Sequence, residues 1–407
     1  MRDGKVAIVG GSIAGCAAAL ALRRGGAGEV TVYERASGRL ADRGVGLAMH
    51  NARYAELESA GLVDASMPWH QVTRRRWYVR DGAGANGPLG RELAVMPFPF
   101  RTYNWGPLWR ELRRRVPQEA DFRHGSAVEA VEVTTRGAEV HAAGRTDRYD
   151  VVIGADGYRS AVRAAVHPEV GPGYAGYLAW RGAYPTERLR DAGLWPEDEC
   201  AYVVFPGGHL IGYRIPDPAT GGLRVNWVLY TAPPPGLDQG LETPTTLHPG
   251  TAGDGLRAHL AYVADELLPD FWGDLVRETT YDELFLQPLY DFTAPRYAVD
   301  RALLMGDAAT VARPHTGAGA VKALQDATAL QSALTSASTW PEALSAYDTD
   351  RAPTGRVMVD LGRRLGRSLV QQTPDWQALD QAGLETWWQQ ADGTGAFGGR
   401  QLGGSTT

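Results

Sequence analysis

Lys5-Val6-Ala7-Ile8-Val9-Gly10-Gly11-Ser12-Ile13-Ala14-Gly15 is the stretch on which the fold turns. Lys5 to Val9 is a short, mostly apolar run of buried-strand type, stopped by glycine. From Ile13 to Arg24 the pattern is alanine- and leucine-rich, as in a helix, and Gly25-Gly26 closes it. Glu29 to Glu34 then reads as a second strand, so the segment is a βαβ unit with the usual right-handed crossover. The turn matches the dinucleotide fingerprint with Ser12 in place of the second glycine. Gly10 gives the tight turn and Gly15 the close helix–strand packing, while Ile13 and Ala14 open a helix whose free amides suit a pyrophosphate. Each such anion contact is worth about 0.3–1 kcal/mol. Glu34, 24 residues past Gly10 with Arg35 next to it, is placed to accept the ribose hydroxyls of an adenosine. An acid there disfavours a 2′-phosphate, so NADP(H) is not the nucleotide expected in this first site.

The chain has 407 residues, enough for two cooperating domains, with 44% hydrophobic and 22% charged residues. A net charge of -6 argues against nucleic-acid partners. The basic runs Arg74-Arg75-Arg76 and Arg113-Arg114-Arg115 read as solvated faces. Two cysteines, Cys16 and Cys200, make neither a disulfide framework nor a Cys-ligated metal site, and Cys16 falls on the apolar side of its helix. No His pair at i, i+4 beside a Glu suggests a metal, so none is expected. No signal-like stretch precedes the first strand and no 18-residue apolar run occurs, which leaves a cytoplasmic setting without a membrane as the expectation.

Further along, Gly44-Val45-Gly46-Leu47 reads as a turn before a helix from Asn51 to Ser59. Thr73 to Arg91 reads as a small antiparallel sheet, and Trp105 to Val116 as a helix. Ala127 to Ala142 gives two short strands, and Tyr149 to Ala155 a third, apolar one. Tyr174–Arg181, Ala201–Phe205, His209–Ile215 and Leu223–Tyr230 are aromatic-rich strands of one antiparallel sheet. Residues 240–255 are loop, Ala298 to Met305 a buried strand, and two long helices follow, about Ala318–Ser336 and Trp340–Leu365. The fold class is thus α/β, a Rossmann-like domain joined to a second domain on an antiparallel sheet, with C-terminal helices.

Two more strands end in Gly and Asp: Gly154-Ala155-Asp156-Gly157, with Ser160 and Arg163, and Gly306-Asp307, followed by Pro314-His315-Thr316-Gly317-Ala318-Gly319 at a helix start. One aspartate at a strand end is by default a helix cap; two, downstream of a dinucleotide turn, suggest ligand contacts. Together the three motifs resemble, in order and separation, the flavin-dependent aromatic hydroxylases of the single-component, two-domain type. The resemblance covers most of residues 4–370. Gly173-Tyr174-Ala175-Gly176-Tyr177, Trp180-Arg181-Gly182, Gly208-His209-Leu210-Ile211 and Arg313-Pro314-His315 resemble most the branch acting on 2,6-dihydroxypyridine.

That resemblance implies FAD, with NADH or NADPH as a transient co-substrate and O₂ as oxidant, in an enzyme that hydroxylates an electron-rich aromatic or heteroaromatic ring through a flavin C4a-hydroperoxide. It implies that Glu34 holds the adenosine ribose, Asp307 the ribityl chain, and Pro314 to Gly319 the isoalloxazine. Asp156 is expected to organise amides and Arg163 or a neighbouring arginine under the pyrophosphate, since a bare carboxylate would repel it. The division it implies is 1–72, 101–170 and 296–385 for the FAD domain, 73–100 (a small sheet) and 171–295 for the substrate domain, and 386–407 as a flexible tail. The chain departs from the family where an arginine is common near Trp105, here Tyr103-Asn104-Trp105-Gly106-Pro107, and where histidine often follows Gly-Asp, here Ala308.

A hydroxylated ring is activated as its proton leaves, which calls for a base or relay. His209 and Tyr213, on one strand face, are the candidate catalytic pair; His50, Arg181, Tyr230 and His315 are candidate substrate contacts. Alternatives are an FAD-dependent dehydrogenase or reductase on the same scaffold and a non-catalytic FAD-binding protein. The partner expected is a small aromatic molecule, with the protein a monomer or homodimer.

Overall fold

The computed structural model describes residues 4–38, 46–82, 86–241, 251–393 and 395–399. The N-terminal part contains β1 (Lys5–Val9), α1 (Ile13–Arg24), β2 (Glu29–Glu34), β3 (Gly46–His50), α2 (Asn51–Ser59), β4 (His70–Val79) and β5 (Arg91–Asn104). Next come α3 (Trp105–Arg115), β6 (Asp121–His124), β7 (Val128–Val133), β8 (Ala138–Ala142), β9 (Arg145–Tyr149), β10 (Val151–Gly154) and α4 (Ala161–Val166). The central part holds β11 (Gly173–Pro185), β12 (Glu199–Phe205), β13 (Gly208–Pro216), β14 (Leu223–Thr231), α5 (Asp254–Tyr262), α6 (Asp270–Arg277) and β15 (Phe285–Thr293). The chain returns through β16 (Ala298–Val299), β17 (Ala302–Leu304), β18 (Thr310–Val311), α7 (Gly319–Ser336), α8 (Trp340–Gly366) and α9 (Gln381–Asp392).

Two large sheets organise the molecule. The first has the order β16-β17-β10-β1-β2-β6 and is parallel apart from the β16–β17 hairpin. Val6, Ala7, Ile8, Val151, Val152 and Ile153 are fully buried in it, which is why those strands are continuous apolar runs. α1 and α7 cover one another over the sheet, and α1 can lie so close because its inner positions are alanine. The second sheet has the order β18-β15-β11-β14-β13-β12-β4-β5-β3, antiparallel except for the parallel β12–β4 pair. It coils strongly: the Gly46 amide on edge strand β3 donates 2.9 Å to Asn226 Oδ1 on β14, and Thr102 Oγ1 on β5 donates 2.6 Å to the Arg214 carbonyl on β13. A Cβ at Gly46 would stand 2.6 Å from the Asn226 side chain, which would have to shift. One face of this sheet packs on α5 and α6, the other on α8, α9 and the flavin-side loop.

Several expectations need correction. Gly46-Leu47 begin β3 and are not a turn; Gly44 and Val45 lie outside the described residues. Residues 73–100 do not make a separate small sheet, because β4 pairs with β12 and so joins the nine-stranded one. Ala298–Met305 is no single strand: Asp300, at φ 49°, turns the chain into the β16–β17 hairpin. Arg75 is no solvated residue but 3% exposed, ringed by Trp77, Phe98, Tyr202, Trp388 and Phe397, with Trp388 at 3.9 Å. The residues from 386 are not frayed up to 399: α9 runs to Asp392, and Trp388 and Phe397 are buried against β4 and β5. Among the described residues no helix is long and apolar enough to cross a membrane.

Candidate active site

Three turns leave adjacent strands of the parallel sheet at the same level. Val9 is level with Gly154, and Gly154 with Leu304. The Ala155 amide donates to the Val9 carbonyl at 2.8 Å and the Met305 amide to the Gly154 carbonyl at 3.0 Å. The approach is tight enough to exclude side chains. A Cβ at Gly10, which has φ +102°, would lie 2.3 Å from the Ala155 oxygen, and one at Gly306 2.9 Å from the Ala14 Cβ. Gly15 would place its Cβ 1.8 Å from the Gly10 oxygen. The turns at 10–15, 154–157 and 306 onward are therefore one structure, at the carboxyl ends of the strands where open α/β sheets bind ligands.

Each acidic group in it has a distinct setting. Glu34, buried at the end of β2, accepts the Gly11 amide at 2.8 Å through one oxygen and the Ala36 amide at 2.8 Å through the other. Arg35 beside it is exposed. Asp156 accepts the Ala161 amide at 2.7 Å, while its other carboxylate oxygen is buried without a partner; burial raises its pKa. Arg163 is buried and gives its guanidinium to the carbonyls of Val170, Ala308 and Tyr158, over the Phe292 ring at 4.2 Å. It ties the second turn to the third and spends its donors on backbone. Asp307 is exposed just beyond Gly306.

Beneath that third turn lies a charge cluster that sequence reading missed. Asp326, fully buried on α7, accepts the Gly306 amide at 2.9 Å, Lys322 Nζ at 2.7 Å and Arg351 Nε at 2.8 Å. The two cations hold its carboxyl below the usual range against the opposing effect of burial. Lys322 and Asp326 stand four apart on α7, a helical ion-pair spacing that was available as a signal.

The residues fit FAD. Neither Ser12 at the start of α1 nor Ala318 at the start of α7 caps its helix with a side chain, so both N-termini keep free amides for anionic groups. Pro314 to Thr316 form a single tight turn ended by Gly317 at φ +62°, which redirects the chain into α7 at Gly319. Gly10, Ser12, Ile13, Ala14, Gly15 and Glu34 would hold the adenosine diphosphate half, Asp307 the ribityl chain, and Pro314 to Gly319 the ring system. Trp109 Nε1 on α3 donates 3.0 Å to the Gly11 carbonyl, with Trp105 stacked on Trp109 at 6.2 Å. The fingerprint turn is pinned by an indole.

The Pro314–Gly319 segment meets the nine-stranded sheet at a group of rings. His315 lies 4.3 Å from Tyr230 and 5.3 Å from His209, centroid to centroid, and His209 lies 4.9 Å from Tyr230. His209 is fully buried and His315 is 3% exposed. Burial pulls the His209 pKa down to about 3 and His315 well below its ordinary value, so both imidazoles are neutral. Tyr230 is pushed up to about 12 for the same reason. Tyr213 lies on the same face of β13, opposite Asn226, and burial raises it too, with the Arg181 charge opposing. Arg181 sits across from Val228, and its Nε is buried without a partner. The structure thus brings His209, Tyr230 and His315 together, with Arg181 and Tyr213 farther along the same face. His50 is elsewhere: its Nδ1 accepts the Ala52 amide at the start of α2 and its ring meets Phe100 edge-on. Tyr177, whose hydroxyl is 2.7 Å from His315 Nε2, was missed because it reads as ordinary core.

Comparison with known proteins agrees with this geometry. A family model described as an FAD binding domain matches residues 268–361. The chain is 27% identical over 386 residues to 2,6-dihydroxypyridine 3-monooxygenase of Paenarthrobacter nicotinovorans, covering 90% of this chain and 91% of that protein. It is 31% identical over 378 residues to a 3-amino-4-hydroxybenzoate 2-monooxygenase of Streptomyces platensis, covering 89% and 87%. The solved 2,6-dihydroxypyridine-3-hydroxylase from Arthrobacter nicotinovorans matches with a TM-score of 0.79 at 25% identity, over 93% of this chain and 96% of that one. With three glycine turns built into one FAD site, and relatives of this identity along nearly the whole length, the chain belongs to the FAD-dependent aromatic hydroxylases, a family of NAD(P)H-dependent flavoprotein monooxygenases.

Proposed function

We propose that this chain hydroxylates an electron-rich aromatic or heteroaromatic small molecule that carries a ring hydroxyl or its keto tautomer, using NAD(P)H and O₂. The observation that carries the reading is the meeting of the flavin-side His315 with His209 and Tyr230 of the substrate sheet, at 5.3 and 4.3 Å. Bound FAD supplies the redox chemistry: two electrons from NAD(P)H reduce O₂, one oxygen atom enters the ring and the other leaves as water. The protein's own residues do the rest. Glu34 and the free amides of α1 and α7 orient the cofactor. The buried ring cluster keeps water from the reacting ring, as oxygen transfer in competition with hydrolysis requires.

Of the two parts, base or relay, His209 takes the relay's. A base with a pKa near 3 cannot by itself remove a proton from a phenol of pKa about 10. Its neutral imidazole instead accepts a hydrogen bond from the substrate hydroxyl, moving electron density into the ring without full transfer. Arg181 and Tyr213 flank the substrate on the same face. A panel of hydroxylated rings, scored for stimulated NAD(P)H oxidation, O₂ uptake and a product one oxygen heavier, tests the reading. Ring-stimulated NAD(P)H oxidation without O₂ uptake would replace it with the reductase alternative.

A further inference from the structure

The hydrogen-bond partners of His209 and His315 fix which nitrogen of each ring carries the proton. His209 Nδ1 lies 3.3 Å from the Leu369 carbonyl, in the π-helical turn that ends α8. A carbonyl only accepts, so Nδ1 is protonated and Nε2 is a bare acceptor; that Nε2 is buried without a partner. His315 Nε2 faces the Tyr177 hydroxyl at 2.7 Å. The Arg313 guanidinium lies 5.4 Å from the Tyr177 ring centre, oriented by Asp291 at 2.7 Å, and its charge acts on the phenol oxygen. The hydroxyl dipole is therefore turned with its oxygen toward Arg313 and its hydrogen toward His315 Nε2. That leaves the proton of His315 on Nδ1, the second buried nitrogen without a partner.

We infer that the two imidazoles are a complementary pair, His209 offering an acceptor at Nε2 and His315 a donor at Nδ1–H. They would recognise a ring edge that carries one donor and one acceptor, as a cyclic amide or a hydroxy-ketone tautomer does. Tyr177 is the positioning residue that sets the His315 tautomer. Two buried polar atoms without partners are costly, and a ligand of that pattern satisfies both at once. The substrate-edge part of this inference rests on the proposed function; the tautomer part does not.

Nitrogen-15 NMR of histidine-labelled, FAD-loaded protein reads the tautomers directly. Both rings should be neutral with the proton on Nδ1 at pH 7; an Nε2–H tautomer at either one would overturn the assignment. Tyr177→Phe should shift His315 alone toward Nε2–H, with the unmoved His209 signal reporting that the fold is intact. An unmoved His315 would remove Tyr177 from its role. For the ligand pattern, 2-pyridone and 1-methyl-2-pyridone are titrated by flavin absorbance without NAD(P)H, so turnover plays no part. 2-Pyridone should bind about tenfold or more tighter in the wild type, and His209→Phe should abolish the difference. Equal affinities overturn the paired reading and leave hydroxylation standing; the expected preference without ring-stimulated O₂ uptake does the reverse.

Discussion

At Gly15 an added methyl group would stand 1.8 Å from the Gly10 carbonyl oxygen, a backbone atom that cannot swing aside. Gly15→Ala should therefore open the fingerprint turn at an overpacking cost of about 1–3 kcal/mol and give protein with little or no bound flavin, read as flavin absorbance per chain. The two buried histidines make a pH prediction. Their pKa values are depressed, His209 to about 3, so as pH falls through about 6.5 the unfolded chain takes up protons that the native state refuses. The stability tied to their neutrality is complete above about pH 6.5 and is lost below it, at about 1.4 kcal/mol per pH unit for each ring. Between about pH 6 and pH 4 the wild type should lose stability more steeply than His209→Phe, by about one proton in denaturant titrations. Equal slopes would mean that His209 is not buried in its neutral form.

Two elements hold the site from behind. α7 carries Asp326 under the Gly306 turn, where it balances Lys322 and Arg351. Asp326→Asn keeps the shape but takes from two buried cations the carboxylate they share, and should cost about 3–5 kcal/mol in urea unfolding. α9 lays Trp388 over Arg75 at 3.9 Å, completing an aromatic cage around a buried guanidinium. Trp388→Ala should cost about 3–5 kcal/mol, and a loss under 1 kcal/mol would show that α9 is not part of the core. Legibility follows the range of the interactions. β1, α1, β2 and the long helices α7 and α8 were readable because local periodicity and glycine punctuation specify them. α9 was not, since Gly383 interrupts its pattern and its reason for being helical is the distant face of β4 and β5. The parallel β12–β4 pairing joins residues more than 120 apart, and no local signal announces it. Arg75 was misread for the same reason: in a run of three arginines only the tertiary cage separates the buried one.

On the scale of the whole molecule, the parallel sheet presents the three turns and the coiled sheet brings the His209 and Tyr230 rings to the flavin loop. In the candidate site the glycines and acids of the turns could be read directly, because only a few residue types tolerate those conformations. The ring cluster was half legible: parity placed His209 and Tyr213 on one face, but the meeting with His315 and Tyr177 depends on how the loop before α7 packs on the nine-stranded sheet. FAD binding should raise global stability by about 2.7 kcal/mol at a hundredfold excess over its dissociation constant. The convergence of the turns is tested most directly by calorimetric titration of FAD into apoprotein, alongside the single variants Gly15→Ala, Asp156→Ala and Asp307→Ala. One FAD should bind per wild-type chain, with affinity lowered at least tenfold by a substitution in any one of the three turns. Unchanged affinity on losing Asp156 or Asp307, or wild-type apoprotein that takes up no FAD, would contradict it.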